Sequence, residues 1–469
     1  MARIAPVRTV PTVLALLAWF SCAWFGSWEG NPNNATRLFA AIELVEKGSP
    51  RIDRFAPLTI DKAVIGGHAY LDKAPGMTLM AVPAVVVADT VNGERGVALA
   101  ASGDLSRYLR LLLRIAVAIG PAVLAGLATA ALWSLAIEWT ASGAAALFAA
   151  LGFALGTPVW GWSTTVLGHA VVGDLYLIAL WAFGRGRVRW ALAGGLALGW
   201  AVSVEAQAML AGAVLAGYGA WRCWRDGRRL GAAALGGVAG VMPLLAWNWW
   251  AFGGPFHLGY GGVQGFDGMH QGLFGLTAPA PRVLWEIVFG TRRGLLWVAP
   301  VLVMAPIGLF GLIAAGRSRA LGLAAAGGAT VVLLVNAAYV YWDGGNATGP
   351  RHAVPAIGLL ALGLAPFWAG LTTRGGRVWA TAVLAGSVAI NALIAGCDVF
   401  APPFDPWPLR WVVTQHLLRG DVTSLASDGG WPGWSGFAIW AAVAGPTMVW
   451  LVRRTLRDSG PRVRLPASV

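Results

Sequence analysis

The chain has 469 residues; 57% are hydrophobic, only 12% are charged, and the mean hydropathy is +0.65. That charged share is about half the usual soluble value, which excludes a soluble globular protein, a disordered chain and a coiled coil. The formal net charge of +13 would point to nucleic acid in a soluble protein. Here apolar runs of about 20 residues recur, so the excess is first a topology signal, and no nucleic-acid partner is expected.

Arg3 and Arg8 precede the first apolar run, 9–28, and place the N-terminus in the cytoplasm. The run is long enough to span and lacks a small-residue cleavage site, so it reads as retained. The further spans are 109–137, 143–158, 168–184, 189–204, 207–221, 230–250, 294–315, 320–341, 353–371, 378–397 and 436–452. The fold class is therefore an all-α polytopic membrane protein of about 12 transmembrane helices, with both termini cytoplasmic. Segment 74–91 is interrupted by Pro75 and Pro83 and ends at Asp89, and it reads as an interfacial helix. A crossing there would put every later basic cluster outside. The chain 1–469 is one transmembrane domain. Its first periplasmic loop, 29–108, carries juxtamembrane helices, and further outer loops cover 251–293 and 398–435.

This topology splits the charge. The inner turns, with Arg185, Arg222, Arg228, Arg317, Arg374, Arg453, Arg462, Arg464 and their neighbours, sum to +15; the outer side sums to −2. All three lysines and all six histidines lie outside. The ionisable chemistry is therefore expected on the outer face. Cys22, Cys223 and Cys397 have no metal-ligand spacing and read as small apolar fillers.

The first outer loop opens on Asn31-Pro32-Asn33-Asn34-Ala35-Thr36-Arg37 and predicts an amphipathic helix from about 35 to 47. Asn34 or Thr36 would cap it, and Leu38, Ile42 and Val45 would lay it on the membrane surface. Next come Asp61-Lys62-Ala63 and, eleven residues on, Asp72-Lys73-Ala74-Pro75. Adjacent acid and base diverge on a helix or an extended chain, so they need not neutralise one another. The carboxylates can take a proton or bind a divalent cation, and the lysines can hold a phosphate as point charges. A simple surface ion pair is the plainer alternative.

His169 and Asp174 lie five residues apart at the start of a span, near enough in direction to serve one cavity, and Glu205 lies at the outer end of another. Ionisable residues at such depth face the bundle interior or a hydrated cavity. Arg292-Arg293 and Arg351-His352 run against the inside bias and read as anion binders, whether for lipid headgroup, loop acid or substrate phosphate. Trp24, Trp28, Trp160, Trp162, Trp247, Trp249 and Trp250 read mainly as an interfacial belt.

A long first outer loop with a surface helix, a Tyr-x-acid-Lys-x-Pro element and a second outer acid together resemble the GT-C glycosyltransferases. Within them the pattern is similar to the bacterial lipid A aminoarabinose transferase and protein O-mannosyltransferase branch. Tyr70-Leu71-Asp72-Lys73-Ala74-Pro75 resembles that branch's Tyr-Phe-Glu-Lys-Pro element, and Asp174 before Leu175-Tyr176 resembles its second-loop Asp. Asn34-Ala35-Thr36-Arg37 occupies the place of its Asp-Glu-x-Arg-like element, so the family's principal catalytic Asp falls on Asn34, which cannot act as a base.

The resemblance implies a GT-C-like bundle in a bacterial inner membrane. It also implies a polyprenyl-phosphate-linked sugar as donor, with a lipid, glycan or protein acceptor. On that reading Asp72 or Asp174, with Asp61 third, is the candidate base. Lys62, Lys73, Arg292, Arg293, Arg351 and His352 are candidates for the donor phosphate; Asn34, Arg37, His169 and Glu205 are candidates for substrate contacts. Membrane lipids are further partners; no cofactor is certain, and a divalent metal ion stays open. The alternatives are a transporter or flippase for a lipid-linked or anionic solute, or an inactive scaffold.

Overall fold

Inside a bilayer every backbone amide needs an internal partner, so long apolar runs fold as helices. The computed structural model describes residues 9–26 and 28–458. Arg3, Arg8, Arg462 and Arg464 lie outside the described residues. Each of the twelve expected spans has a helical counterpart. Five are helical stretches long and apolar enough to cross: Ser106–Thr140, which is interrupted at Gly120, Gly227–Phe252, Arg319–Ala338, Arg374–Gly396 and Trp434–Leu456. Another, Arg351–Ala361 with Leu364–Gly370, bends by 44°. Pro300 and Pro355 sit where helical geometry tightens to 3-10 turns, because proline removes the amide that would continue the ladder. The rest, such as Thr9–Trp24 and Gly168–Gly184, are shorter apolar helices.

Segment 74–91 forms the helix Gly76–Asn92, followed after a 64° bend by Gly96–Ser102. It packs on Pro32–Lys47 and on Ser106–Ile119. The first outer helix differs from expectation in two ways. Its cap is Asn31, whose side chain accepts from the Asn33 amide, and Pro32 opens the first turn. It is also buried along most of 33–43, on more of its circumference than the stripe of Leu38, Ile42 and Val45. The helix is enclosed because Gly76–Asn92 covers one face and Thr36 ties another to the following loop. The tryptophans differ too. Trp160 and Trp162 are fully buried and Trp28 nearly so, whereas Trp249 is 64% exposed. The Trp160 indole donates to the Ser21 carbonyl at 2.9 Å, and Trp28 to Thr164 Oγ1 at 2.8 Å. A belt residue keeps its N–H for water; these two use theirs to join the first span to 157–167.

The two ends of the bundle are chemically distinct. At one end Arg185 pairs with Glu138, Arg222 donates to the Gly184 carbonyl, and Arg317 covers the Trp139 ring. At the other end Arg110 pairs with Glu29 at 2.9 Å, and Arg114 with Asp428 at 2.8 Å. The basic turns at 185, 222 and 317 thus share one end, away from the loops that carry the acids and histidines.

Two helices meet there through small residues. A side chain at Gly195 or Gly199 would strike the Ala233 or Gly237 carbonyl at 2.0 or 2.1 Å. Val188–Val204 and Gly227–Phe252 therefore cross with backbones nearly touching, the close approach that glycine pairs permit in membranes. Ser203 Oγ donates to the Gly240 carbonyl at 2.7 Å, and a Cβ at Gly76 would meet the Ser203 carbonyl at 2.5 Å. These contacts fix the end of Val188–Val204, and the next residue is Glu205.

Candidate functional site

The eleven-residue echo is a hairpin. Ala63–Ile65 pairs antiparallel with His68–Tyr70, in the register Ala63 with Tyr70. Gly66 and Gly67, at φ 60 and 81°, make the reversal that L-residues resist. Closing the hairpin brings Asp61 and Asp72, on its two flanks, to one place. Lys73 Nζ lies 2.6 and 2.8 Å from the Asp72 carboxylate oxygens and 3.4 Å from Asp61. The expectation that Asp72 and Lys73 diverge fails, because the chain bends at 72–73 and is neither helix nor strand there. Lys62 turns away, donating to the Ala56 and Thr59 carbonyls. Thr36 Oγ1 holds the hairpin base to the first outer helix through the Asp61 carbonyl at 2.8 Å.

Arg37 and Glu205 form a buried ion pair at 3.0 Å, their side chains 1% and 7% exposed. Arg37 also donates to the Asn33 side chain, leaving Nε without a partner among the described residues. Gly168 makes room for the pair: a Cβ there would lie 2.6 Å from Glu205 Oε1. Asn34, fully buried, gives its amide to the Trp28 carbonyl at 3.1 Å and accepts from the Val166 amide at 3.0 Å. Both halves of its side chain are spent on backbone.

Arg351 is half-buried, and among the described residues it makes no hydrogen bond and no ion pair; its Nε is orphaned. Asp61, Tyr339, Glu205 and Arg37 lie within its electrostatic reach. His352 follows, its ring edge-on to His169 at 4.8 Å between centroids and to Tyr339 at 5.2 Å. His169, Glu205, Gln207, Asn336, Tyr339 and His352 line a cleft between Gly168–Gly184, Ala208–Cys223 and Arg319–Ala338.

Arg292 and Arg293 are placed differently. Arg292 pairs with Asp343 and donates to the Pro403 carbonyl. Arg293, 0% exposed, donates to the carbonyls of Asp343 and Gly345 at 2.7 Å and of Pro403 at 3.2 Å. Burial, with Arg292 beside it, lowers its pKa to about 10. Asp174 also stands apart. It is fully buried, within electrostatic reach of Cys22, and neither carboxylate oxygen has a partner among the described residues. His169 faces Arg351, Arg37 and Lys73 instead. The structure thus gathers Asp61, Asp72, Lys73, Arg37, Glu205, Arg351, His169 and His352, and leaves Asp174, Arg292 and Arg293 outside that group.

A crystal structure of ArnT from Cupriavidus metallidurans bound to undecaprenyl phosphate is similar to this chain. The TM-score is 0.50 and the identity 17%, over 97% of this chain and 78% of that one. The apo state of the same protein gives TM-score 0.50 and 17% identity over 96% and 77%.

The fold is the ArnT fold.

No family model and no curated protein matches the chain. The likeness to ArnT extends over nearly all of the sequence, where the motifs alone covered its first half.

Three cluster residues carry no local sequence signal. Tyr260, in the loop 251–293, lies near Glu205, Tyr339 and Asp72. Burial and those neighbours push its phenol well above the ordinary value. It is brought there by Gly259, where a Cβ would lie 2.9 Å from the Leu71 carbonyl, and by the bridge between Ala63 and Val263. Asn336 and Tyr339 arrive from the end of Arg319–Ala338. The carboxylates do not fit a divalent ion as they stand. Asp61 and Asp72 share Lys73, and Glu205 is held by Arg37. Among the described residues no three His, Cys, Asp or Glu side chains converge as ligands.

Proposed function

We propose that the protein is a membrane glycosyltransferase that moves a sugar from a polyprenyl-phosphate donor to a lipid, glycan or protein acceptor at the outer face of a bacterial inner membrane, with both termini cytoplasmic. The observation that carries this reading is Arg351, a cation without an ion-pair partner among the described residues, beside Lys73 and three carboxylates. An unpaired guanidinium in a half-buried site costs free energy until an anion arrives. The ArnT neighbour crystallised with undecaprenyl phosphate supplies the class of anion.

The reaction follows from the charges. Negative charge builds on the donor phosphate as the bond from the anomeric carbon to the phosphate oxygen breaks, and the phosphate leaves with the electron pair. Arg351 and Lys73 face that charge. The acceptor hydroxyl oxygen attacks the anomeric carbon, and its proton goes to a carboxylate. Asp72 is the first candidate and Asp61 the second, because Lys73 holds both until a phosphate competes for the ammonium. Lys73 would then shift toward the phosphate and free a carboxylate when the donor is in place. Asn34 takes no proton, since its amide is committed to backbone on both sides.

Purified protein given polyprenyl-phosphate sugars and a hydroxyl acceptor should release free polyprenyl phosphate. Asp72→Asn should lower that release by about 100-fold or more, and Asp61→Asn by less. Absence of release with every donor, together with solute flux across proteoliposomes, would replace this reading by transport.

A further inference from the structure

We infer that the turns 184–189 and 222–229, at the basic end of the bundle, form a binding site for an anionic phospholipid. Arginines stacked on indoles hold the headgroup phosphate, and an apolar helix face carries an acyl chain. The inference concerns the end away from the cleft and stands whether or not a sugar is transferred at the cleft.

Charge is the first ground. The two turns carry seven arginines. They touch, since Arg222 Nη2 donates to the Gly184 carbonyl at 3.3 Å. Two acids adjoin them, and both are committed. Glu138 pairs with Arg185. Asp226 caps Gly227–Phe252 by accepting from the Arg228 and Arg229 amides at 3.1 and 3.3 Å. Seven guanidiniums against two carboxylates leave a local excess of positive charge. Of the seven, only Arg185 has a carboxylate partner among the described residues. Val188–Val204 also starts here, on Arg187 and without a capping side chain, so its first amides add to the same field.

Positive charge alone would serve to orient the chain. The second ground is how the guanidiniums are held. Arg185 lies over the Trp181 ring at 5.0 Å and Arg189 over Trp190 at 5.3 Å. Those two indoles meet edge to face, 4.8 Å between centroids. In the other turn Arg222 lies over Trp221 at 5.9 Å and Arg225 over Trp224 at 4.9 Å. Arg189 and Arg225 have no other side-chain partner among the described residues. A guanidinium stacked on a ring keeps its N–H groups free to fork on two phosphate oxygens.

Apolar surface favours a lipid over a free anion. Val188, Leu192 and Leu196, four residues apart along one helix face, are exposed, as are Trp221, Trp224 and Leu230 beside the arginines. A stripe that begins at the arginines and runs on along the helix suits a headgroup with its chain. A lipid there would join the ends of Gly168–Gly184, Val188–Val204 and Ala208–Cys223, whose opposite ends bring His169, Glu205 and Ala208 to the cleft. A ligand that holds only the folded arrangement raises its stability.

The test titrates dioleoyl phosphatidylglycerol, with dioleoyl phosphatidylcholine as the neutral comparison, into the full chain in a nonionic detergent. Native mass spectrometry reads bound lipid, and the melting temperature is followed beside it. Phosphatidylglycerol should bind at least about 10-fold more tightly and raise the melting temperature. Arg189→Gln with Arg225→Gln should lower that affinity by about 30-fold, about fivefold for each charge, and should melt with the parent in lipid-free detergent. Arg374→Gln with Arg377→Gln removes two arginines from another basic turn, where no guanidinium lies over an indole among the described residues, and should change the affinity by less than about threefold. Equal losses in the two double variants would reduce the effect to bulk surface charge and overturn the inference. So would equal binding of the two lipids. If glycerol 3-phosphate displaces phosphatidylglycerol at equal concentration, the site takes a free anion and the lipid assignment falls.

Discussion

Two groups of arginines meet at one end of the bundle, and their hydrogen bonds distinguish them. Arg293 spends its donors on the carbonyls of Asp343, Gly345 and Pro403, and Arg292 pairs with Asp343. They stitch 290–294, 343–345 and 403 into one junction. Arg351 lies in the same neighbourhood, within electrostatic reach of Arg293, and bonds to nothing among the described residues. A cation satisfied by its own protein organises loops. A cation left unsatisfied at the mouth of a cleft is available to a ligand. In sequence the pairs look alike, each an arginine placed against the inside bias.

That contrast can be broken from either side. Arg293→Gln should have the largest structural effect, because it strands several buried carbonyls at once. A loss of about 4 kcal/mol is expected, read as a large drop in melting temperature. Removing one partner of the Arg37–Glu205 pair comes next. Either Arg37→Gln or Glu205→Gln should cost about 3 kcal/mol, and the double variant should cost clearly less than the two together. Additive losses would show that the pair is not coupled. Arg351→Gln should do the opposite of Arg293→Gln. Its melting temperature should stay near that of the parent, while polyprenyl phosphate release falls by about 100-fold. Equal destabilisation by Arg351→Gln and Arg293→Gln would erase the distinction between stitch and site.

Asn34→Asp tests the position where the family resemblance predicts a catalytic acid. The carboxylate would lose the bond to the Trp28 carbonyl and face that oxygen with like charge. A loss of about 2 kcal/mol and no gain in turnover is the expected outcome. A gain in turnover would mean that Asn34 lies nearer the reacting atoms than its backbone contacts imply.

Much of the helical frame could be read from hydropathy, since each apolar run is helical in the structure, whole or broken. The breaks could not, because whether Pro300 or Pro355 tightens a helix depends on neighbours that hydropathy does not register. Within the site, the Asp61 and Asp72 echo was visible as a repeat, but its meaning rests on Gly66-Gly67, which turn repetition into proximity. His169 and Asp174 were grouped although five helical residues turn the chain by about 140° beyond one full turn. That angle already separates their faces, and the structure puts one against His352 and the other near Cys22. Tyr260 and Asn336 come from loops and spans far along the chain, where no spacing signals the encounter.

The smallest effect concerns the junction 398–421, which resembles the Arg293 stitch but is built on a group that titrates. His416 Nδ1 lies 2.6 Å from Asp421 Oδ2, and Nε2 lies 3.4 Å from Asp398 Oδ2. The Trp411 indole also donates to Asp398, at 3.3 Å. The hydrogen bond to Asp398 is the main cause raising the His416 pKa above its ordinary value; partial burial opposes it, and Asp421 adds to the rise. Because the folded value exceeds the unfolded one, the imidazolium's stabilisation is complete below the ordinary histidine value of about 6.5 and is lost as pH rises through the raised one. The melting temperature should therefore fall by about 1–2 °C as pH climbs through that interval, on top of any slope shared by the whole protein. His416→Gln should remove that step and leave Arg293→Gln as destabilising at pH 6 as at pH 8, since guanidinium stitches do not titrate there. A step that survives in His416→Gln would assign the pH response to another group and leave this junction as fixed as the arginine one.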